Sequence, residues 1–332
     1  MKYDVYGIGN ALVDMEFKVT DEFFGQQSIE KGLMTLVEED RQGELVSALH
    51  EINQDEVKRQ CGGSAANTII AVSQFGGKSF YSFKIANDDT GNFYLNDICE
   101  NGVATKNTKE SLPEGTTGKC MVMVTPDAER TMNTYLGITA TLDKDQIDEE
   151  ALKASKWLYI EGYLVASPTG QQAAVEAVRL AKANGVKTSL TMSDPNMVKF
   201  FKDNMNEIIG DGLDLIFCNE HEARDFTGTT DLLDAREKMK TLAKSFVITL
   251  GKNGAMIWDG TKFIDIEPHT VTAVDTNGAG DMYAGAFLYG ITNGMSYAGA
   301  GALASLASSK VVERFGPRLD MDQIKEVVSE LK

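Results

Sequence analysis

From about residue 156 the chain alternates short β-rich runs with amphipathic helical stretches. Lys156–Tyr163 (KWLYIEGY), Val186–Met192 (VKTSLTM), Leu213–Cys218 (LDLIFC) and Phe246–Leu250 (FVITL) read as strands. Thr169–Ala183, Met197–Ile209, Glu220–Phe226 and Leu232–Ala243 read as the helices between them. That alternation predicts a parallel sheet covered on both faces by crossover helices, a doubly wound α/β arrangement.

Residues 1–140 are less regular. Val5–Ile8 and Phe80–Ile85 suit the same central sheet, whereas Met15–Val19, Gly118–Val124 and Thr131–Tyr135 alternate in side-chain character like half-exposed strands. The expectation is a single α/β domain over residues 1–332 with a mainly parallel sheet. A small β lid, from about 12–37 and 115–138, is inserted into it and closes over a cleft. Thr125–Ala128 (TPDA) supplies turn chemistry between two lid strands.

Charge and composition remove several classes of function. A formal net charge of -17 opposes binding to nucleic acid or an anionic membrane, both of which rely on clustered Lys and Arg. It does not oppose an anionic small molecule, because a few backbone N–H groups and one Arg outweigh distant, screened charge. Cys61, Cys99, Cys120 and Cys218 form no CxxC pair and have no His at zinc-finger spacing, so reduced thiols in the cytoplasm are expected. The N-terminal MKYDVYG has no apolar signal core, and no apolar run approaches the roughly 18 residues of a membrane span.

Four local patterns carry chemistry. The first is Asp275-Thr276-Asn277-Gly278-Ala279-Gly280-Asp281, leading into the Ala- and Gly-rich helix Met282–Asn293. Small residues at a helix start let an anion approach free N–H groups, and the helix dipole adds partial positive charge there. Asp281 in the first turn would then stand close to a bound phosphate and face an incoming hydroxyl; taken alone, it could equally be a favourable first-turn acid. The second is Gly7–Asp14 (GIGNALVD), where Leu12 stands in place of the third glycine of a dinucleotide fingerprint. The third, Gly62-Gly63-Ser64-Ala65-Ala66-Asn67, leads into the helical run Thr68–Phe75; paired glycines allow close backbone approach to a ligand, and Ser64 could be a simple N-cap. The fourth, Asn219-Glu220-His221-Glu222, follows a strand at the carboxyl edge of the sheet, where ligands of doubly wound folds bind, though a capped helix explains the same residues.

Taken together and in their order along the chain, GIGNALVD, GGSAAN, the N-x-x-E of Asn219–Glu222 and DTNGAGDMYAGAFL resemble the ribokinase-like kinases, the PfkB family, over essentially residues 3 to 318. The resemblance is closest in texture to the adenosine kinases. It implies that Asp281 is the catalytic base and that Gly278, Ala279 and Gly280 form the anion hole. It implies that Asp14, Asn10, Gly62, Gly63, Ser64 and Asn67 hold the acceptor, and that Arg130 is a phosphate-facing lid residue. Asn219, Thr249, Gly251, Gly254 and Ser305 fall to ATP. Glu222 falls to magnesium through water, and Asp275 to a monovalent cation, potassium, found in some relatives.

The implied activity is transfer of the γ-phosphoryl group of ATP to a primary hydroxyl of a nucleoside, adenosine first, with a sugar kinase as the alternative. The run Gly7–Asp40 favours a nucleoside, whereas Ser193-Asp194-Pro195-Asn196 is similar to sugar kinases. A non-catalytic ligand-binding relative would have no chemical need for Asp281. A nicotinamide oxidoreductase is opposed by Leu12. The expected partners are a small nucleoside or sugar, with no nucleic acid and no membrane, and the expected assembly is a monomer or homodimer.

Overall fold

The computed structural model describes residues 1–52, 58–127 and 129–330. Numbered in chain order, eight strands form the main sheet: β1 (Tyr3–Ile8), β5 (Ser79–Ser82), β8 (Ser155–Glu161), β9 (Lys187–Thr191), β10 (Leu213–Asn219), β11 (Ala243–Thr249), β12 (Ala255–Trp258) and β13 (Phe263–Ile266). They lie in the order β13-β12-β11-β10-β9-β8-β1-β5. From β5 to β11 the pairing is parallel, and β12 and β13 append an antiparallel hairpin.

Alternation along the parallel strands builds a core on each face. Trp157, Tyr159, Leu215 and Phe217 join a cluster with the helices Ser64–Gln74, Ala279–Thr292 and Tyr297–Val312. Leu158, Ile160, Ile216 and Cys218 join another with Pro168–Ala183. The sheet is therefore apolar on both faces, as a doubly wound sheet requires. Helices Ser64–Gln74 and Ala279–Thr292 touch at Gly285, where a Cβ would stand 2.6 Å from both Ala71 Cβ and the Thr68 carbonyl oxygen. Their N-termini, which carry GGSAAN and GAGD, are thus held rigidly to one another.

The other five strands are β2 (Leu12–Lys18), β3 (Met34–Leu36), β4 (Lys58–Gly62), β6 (Thr117–Val124) and β7 (Arg130–Gly137), in the order β3-β7-β6-β2-β4. β2 is not the half-exposed strand its alternation suggests. Only Leu12 and Lys18 escape full burial, because Val13, Met15 and Phe17 join the large core while Asp14 and Glu16 are buried on the opposite side. The expected helix Met197–Ile209 is two, Pro195–Phe200 and Lys202–Ile209, broken where Phe201 leaves helical geometry at φ -127° and ψ 28°. The helix expected to reach Ala243 ends at Met239, since Ala243 already belongs to β11. In the TPDA turn, Thr125 N–H donates to the Glu129 carbonyl and Thr125 Oγ1 to Asp127 Oδ1, while Ala128 lies outside the described residues. Among the described residues no helix is long and apolar enough to cross a membrane.

Candidate active site

Asp281 occupies the first turn of the helix Ala279–Thr292, whose N-cap is Gly278. At φ +74° Gly278 is left-handed, and a Cβ there would lie 2.2 Å from Pro317 Cβ and 2.4 Å from its Cα, so any side chain both strains the backbone and collides. The first-turn amides of Gly280 and Asp281 have no acceptor within the helix. Gly280 lines the cleft and a Cβ on it would meet no protein atom within 4 Å, so packing does not demand this glycine.

The Asp281 carboxylate accepts from Ser64 Oγ at 2.6 Å and from Asn67 Nδ2 at 3.1 Å. Ser64 is therefore not the N-cap of its helix; that position is Gly63, and the hydroxyl turns to Asp281 instead. Burial pushes the carboxyl of Asp281 up, while the Ser64 and Asn67 hydrogen bonds and the nearby Arg130 charge hold it down. Arg130 begins β7 and donates from Nη1 to the Thr276 carbonyl at 3.1 Å, which brings the second sheet to the loop before GAGD.

Asp14 sits on β2, 5% exposed, opposite Gln60 of β4. Both glycines of the pair are packed tightly against protein, a Cβ on Gly62 falling 2.1 Å from Asp14 Cγ and one on Gly63 2.3 Å from the Asn10 carbonyl oxygen, and of the two Gly63 lines the cleft. Asn10 lines the cleft too, with its polar groups bonded to protein. Its N–H and its Nδ2 both donate to Glu161 Oε1, at 3.1 and 2.9 Å, and its Oδ1 accepts from Thr139 Oγ1 at 3.5 Å. Glu161 Oε2 accepts from Ala65 N–H at 2.8 Å, so this buried carboxylate ties the end of β8 to the loop after β1 and to the first turn carrying Ser64 and Asn67. Burial raises its pKa to about 7 against those hydrogen bonds. Sequence reading missed Glu161; its one signal is its place at the carboxyl end of a parallel strand.

Asn219 caps the helix Glu220–Thr227, its Oδ1 accepting from the N–H of His221 and Glu222 at 2.9 Å, and Glu222 Oε2 returns the bond from Asn219 N–H at 2.8 Å. This capping box fixes Glu222, which is 4% exposed and whose pKa burial raises to about 7. Thr249 lines the same cleft, whereas Gly251, Gly254 and Ser305 lie off its lining; Ser305 Oγ donates to the Glu267 carbonyl at 3.0 Å. Asp275, fully buried, accepts from Asn277 N–H at 2.8 Å and Gly316 N–H at 3.0 Å, which pins the loop leading to Gly278. Among the described residues no group of three or more His, Cys, Asp or Glu could hold a metal ion.

A cleft of about 400 Å³ between the two sheets brings Asn10, Asp14, Gly63, Ser64, Asn67, Arg130, Asn219, Glu222 and Gly278–Asp281 to one surface. It sets the Asp281 carboxylate beside a helix start with free N–H groups, an arrangement chemically suited to moving a phosphoryl group to an alcohol. Residues 37–324 match the pfkB family carbohydrate kinases. The chain belongs to that family. It is a phosphotransferase with an alcohol acceptor, and the family's phosphoryl donor is ATP. An adenosine kinase from Sinorhizobium meliloti superposes with a TM-score of 0.91 at 33% identity, covering 99% of this chain and 100% of that one. A probable sugar kinase from Rhizobium etli superposes with a TM-score of 0.90 at 31% identity, covering 100% and 99%. A 5-dehydro-2-deoxygluconokinase from Clostridium perfringens is 27% identical over 82% of this chain and 83% of its own. This pfkB kinase is thus similar to enzymes of both kinds, and the acceptor is a nucleoside or a sugar.

Proposed function

We propose that the acceptor is a nucleoside, adenosine first, phosphorylated on its 5′-hydroxyl. The observation that carries this reading is the second sheet's contribution to the cleft: Leu12, Met34, Leu36, Met132 and Leu136 line it, and Leu36 is 48% exposed. A free sugar presents hydroxyls on every edge and would leave them unpaired against such a wall. A purine presents a broad apolar plane that the wall can cover. Asp14 and the Oδ1 of Asn67, a buried acceptor without a partner among the described residues, then suit the ribose hydroxyls, which are donors. A coupled ADP-release assay with adenosine, inosine, guanosine, ribose, fructose and 2-keto-3-deoxygluconate tests it. Turnover is expected to be highest with adenosine, and turnover with the sugars alone overturns the reading.

In this scheme Asp281 removes the proton of the attacking hydroxyl. Burial strengthens it as a base, and the Ser64 and Asn67 hydrogen bonds orient it. The Gly280 and Asp281 amides face the charge that develops on the transferred group, and Arg130 adds a cation from the second sheet. Lining up the acceptor under that sheet also excludes water that would otherwise compete for the phosphoryl group. Thr249, Gly251, Gly254 and Ser305 are assigned to the nucleotide on family resemblance. The site fits magnesium that keeps most of its waters, because Glu222 offers one fixed carboxylate in the cleft beside Asn219. Bound there, the ion would neutralise charge on the polyphosphate. Asp275 spends its oxygens on two backbone N–H groups, and its part in holding a potassium ion rests on the resemblance alone.

The raised pKa of Glu222 makes a pH prediction. As pH falls below about 7 the carboxylate takes up a proton, so kcat/KM for ATP with magnesium is expected to decline. Stability moves the other way. The folded pKa values of Glu161 and Glu222 lie above their unfolded values, so the folded chain binds the proton more tightly, and this contribution is lost as pH rises through about 7. Melting curves and kinetics between pH 6 and pH 8 check both signs, with Glu222→Gln expected to flatten the acid limb.

A further inference from the structure

Protein interiors rarely leave polar side chains without partners, and each exception asks for an explanation. Among the described residues three line this cleft: Asn67 Oδ1, Asn277 Nδ2 and the Tyr283 hydroxyl, on residues 4%, 7% and 4% exposed. Their chemistry sorts them. Asn67 offers an acceptor, matching a hydroxyl, while Asn277 offers a donor and Tyr283 a hydroxyl able to donate. Donors match phosphate oxygens, which only accept.

Position agrees with chemistry. Asn277 immediately precedes Gly278, on the loop that Asp275 pins, so its amide flanks the free helix start. Tyr283 lies two residues beyond Asp281, which turns its side chain to another face of the helix, away from Ser64 and Asn67. Its ring stacks on Phe287 at 6.4 Å, and Phe287 meets Phe217 of β10 edge-on at 5.7 Å. Tyr283 therefore stands over the carboxyl end of β10, where Phe217, Cys218 and Asn219 line the cleft and Glu222 follows.

We infer that the Tyr283 hydroxyl and the Asn277 amide donate to polyphosphate oxygens of the bound ATP, as binding residues beside the helix-start amides. The two orphaned groups are a local cost that the ligand-free protein carries and the nucleotide removes. The inference rests on phosphoryl transfer from ATP and is indifferent to whether the acceptor is a nucleoside or a sugar.

Tyr283→Phe deletes one oxygen and keeps the ring. Calorimetric titration with the non-hydrolysable β,γ-imido analogue of ATP is expected to show Kd raised roughly tenfold, as for a lost hydrogen bond to a charged group. The KM of the acceptor is expected to stay unchanged, and the ligand-free melting temperature to hold or rise, since an unpaired buried hydroxyl has gone. Asn277→Ala is expected to weaken the same analogue again. A hydroxyl satisfied by a structural water would instead give unchanged Kd in Tyr283→Phe, and that overturns the inference while leaving the kinase reading intact. Failure of the unsubstituted protein to bind the analogue would overturn both.

Discussion

Asp281→Asn is expected to leave the chain folded and able to bind ATP while lowering kcat by about 10²–10⁴-fold. The amide keeps the size of the carboxylate but cannot accept the proton of the attacking hydroxyl. Its oxygen can still accept from Asn67 Nδ2, and its nitrogen can donate to Ser64 Oγ, whose hydroxyl is free to rotate; those are the two contacts that orient the carboxylate at 3.1 and 2.6 Å. Removing a buried charge also relieves the desolvation that raises the Asp281 pKa, so no loss of stability is expected. Steady-state kinetics beside calorimetric titration with an ATP analogue separates the two effects. Near-normal turnover would reject Asp281 as the base.

What made this aspartate legible was its locality. Gly278, Ala279 and Gly280 announce a helix start accessible to an anion within a few residues, although the helix begins at Ala279, three residues before the expected Met282, so that Asp281 lies inside its first turn. The parallel strands were legible for the same reason: each is a short apolar run whose period does not depend on distant residues. Failures came where meaning is set across the chain. Glu161 has no local pattern, and only folding brings it against Asn10 and Ala65. Gly62 reads as room for a ligand, yet its neighbour is Asp14 from another strand of the sheet. β4 (KRQCG) lacks apolar alternation because it is an edge strand, and the hairpin β12–β13 consists of runs only four residues long. Asn219 and Glu222 were legible twice over: the same side chains that cap a helix also line the cleft, and the capping box is what holds the carboxylate still.

Asp14→Ala is expected to raise the KM of the acceptor by roughly 10–150-fold, the equivalent of about 1.5–3 kcal/mol for a hydrogen bond to a charged group, with the KM of ATP nearly unchanged. The carboxylate is 5% exposed, rests against Gly62 and accepts no hydrogen bond from a described residue. Burial pushes its pKa well up, Glu16, Asp281 and Asp275 push it further, and Arg318 opposes them. Such a poorly compensated group would find its partners in the hydroxyl donors of the proposed acceptor. Two consequences separate this from a structural role. Ligand-free Asp14→Ala should melt no lower than the parent, because an imperfectly compensated buried carboxylate has been removed. The parent's stability contribution from Asp14 has the sign of a raised pKa, present at low pH and lost as pH rises through the folded value, and that dependence should disappear in the variant. Acceptor kinetics and melting curves across pH read both. If ATP affinity fell and the acceptor KM stayed put, Asp14 would belong to the nucleotide's side of the cleft.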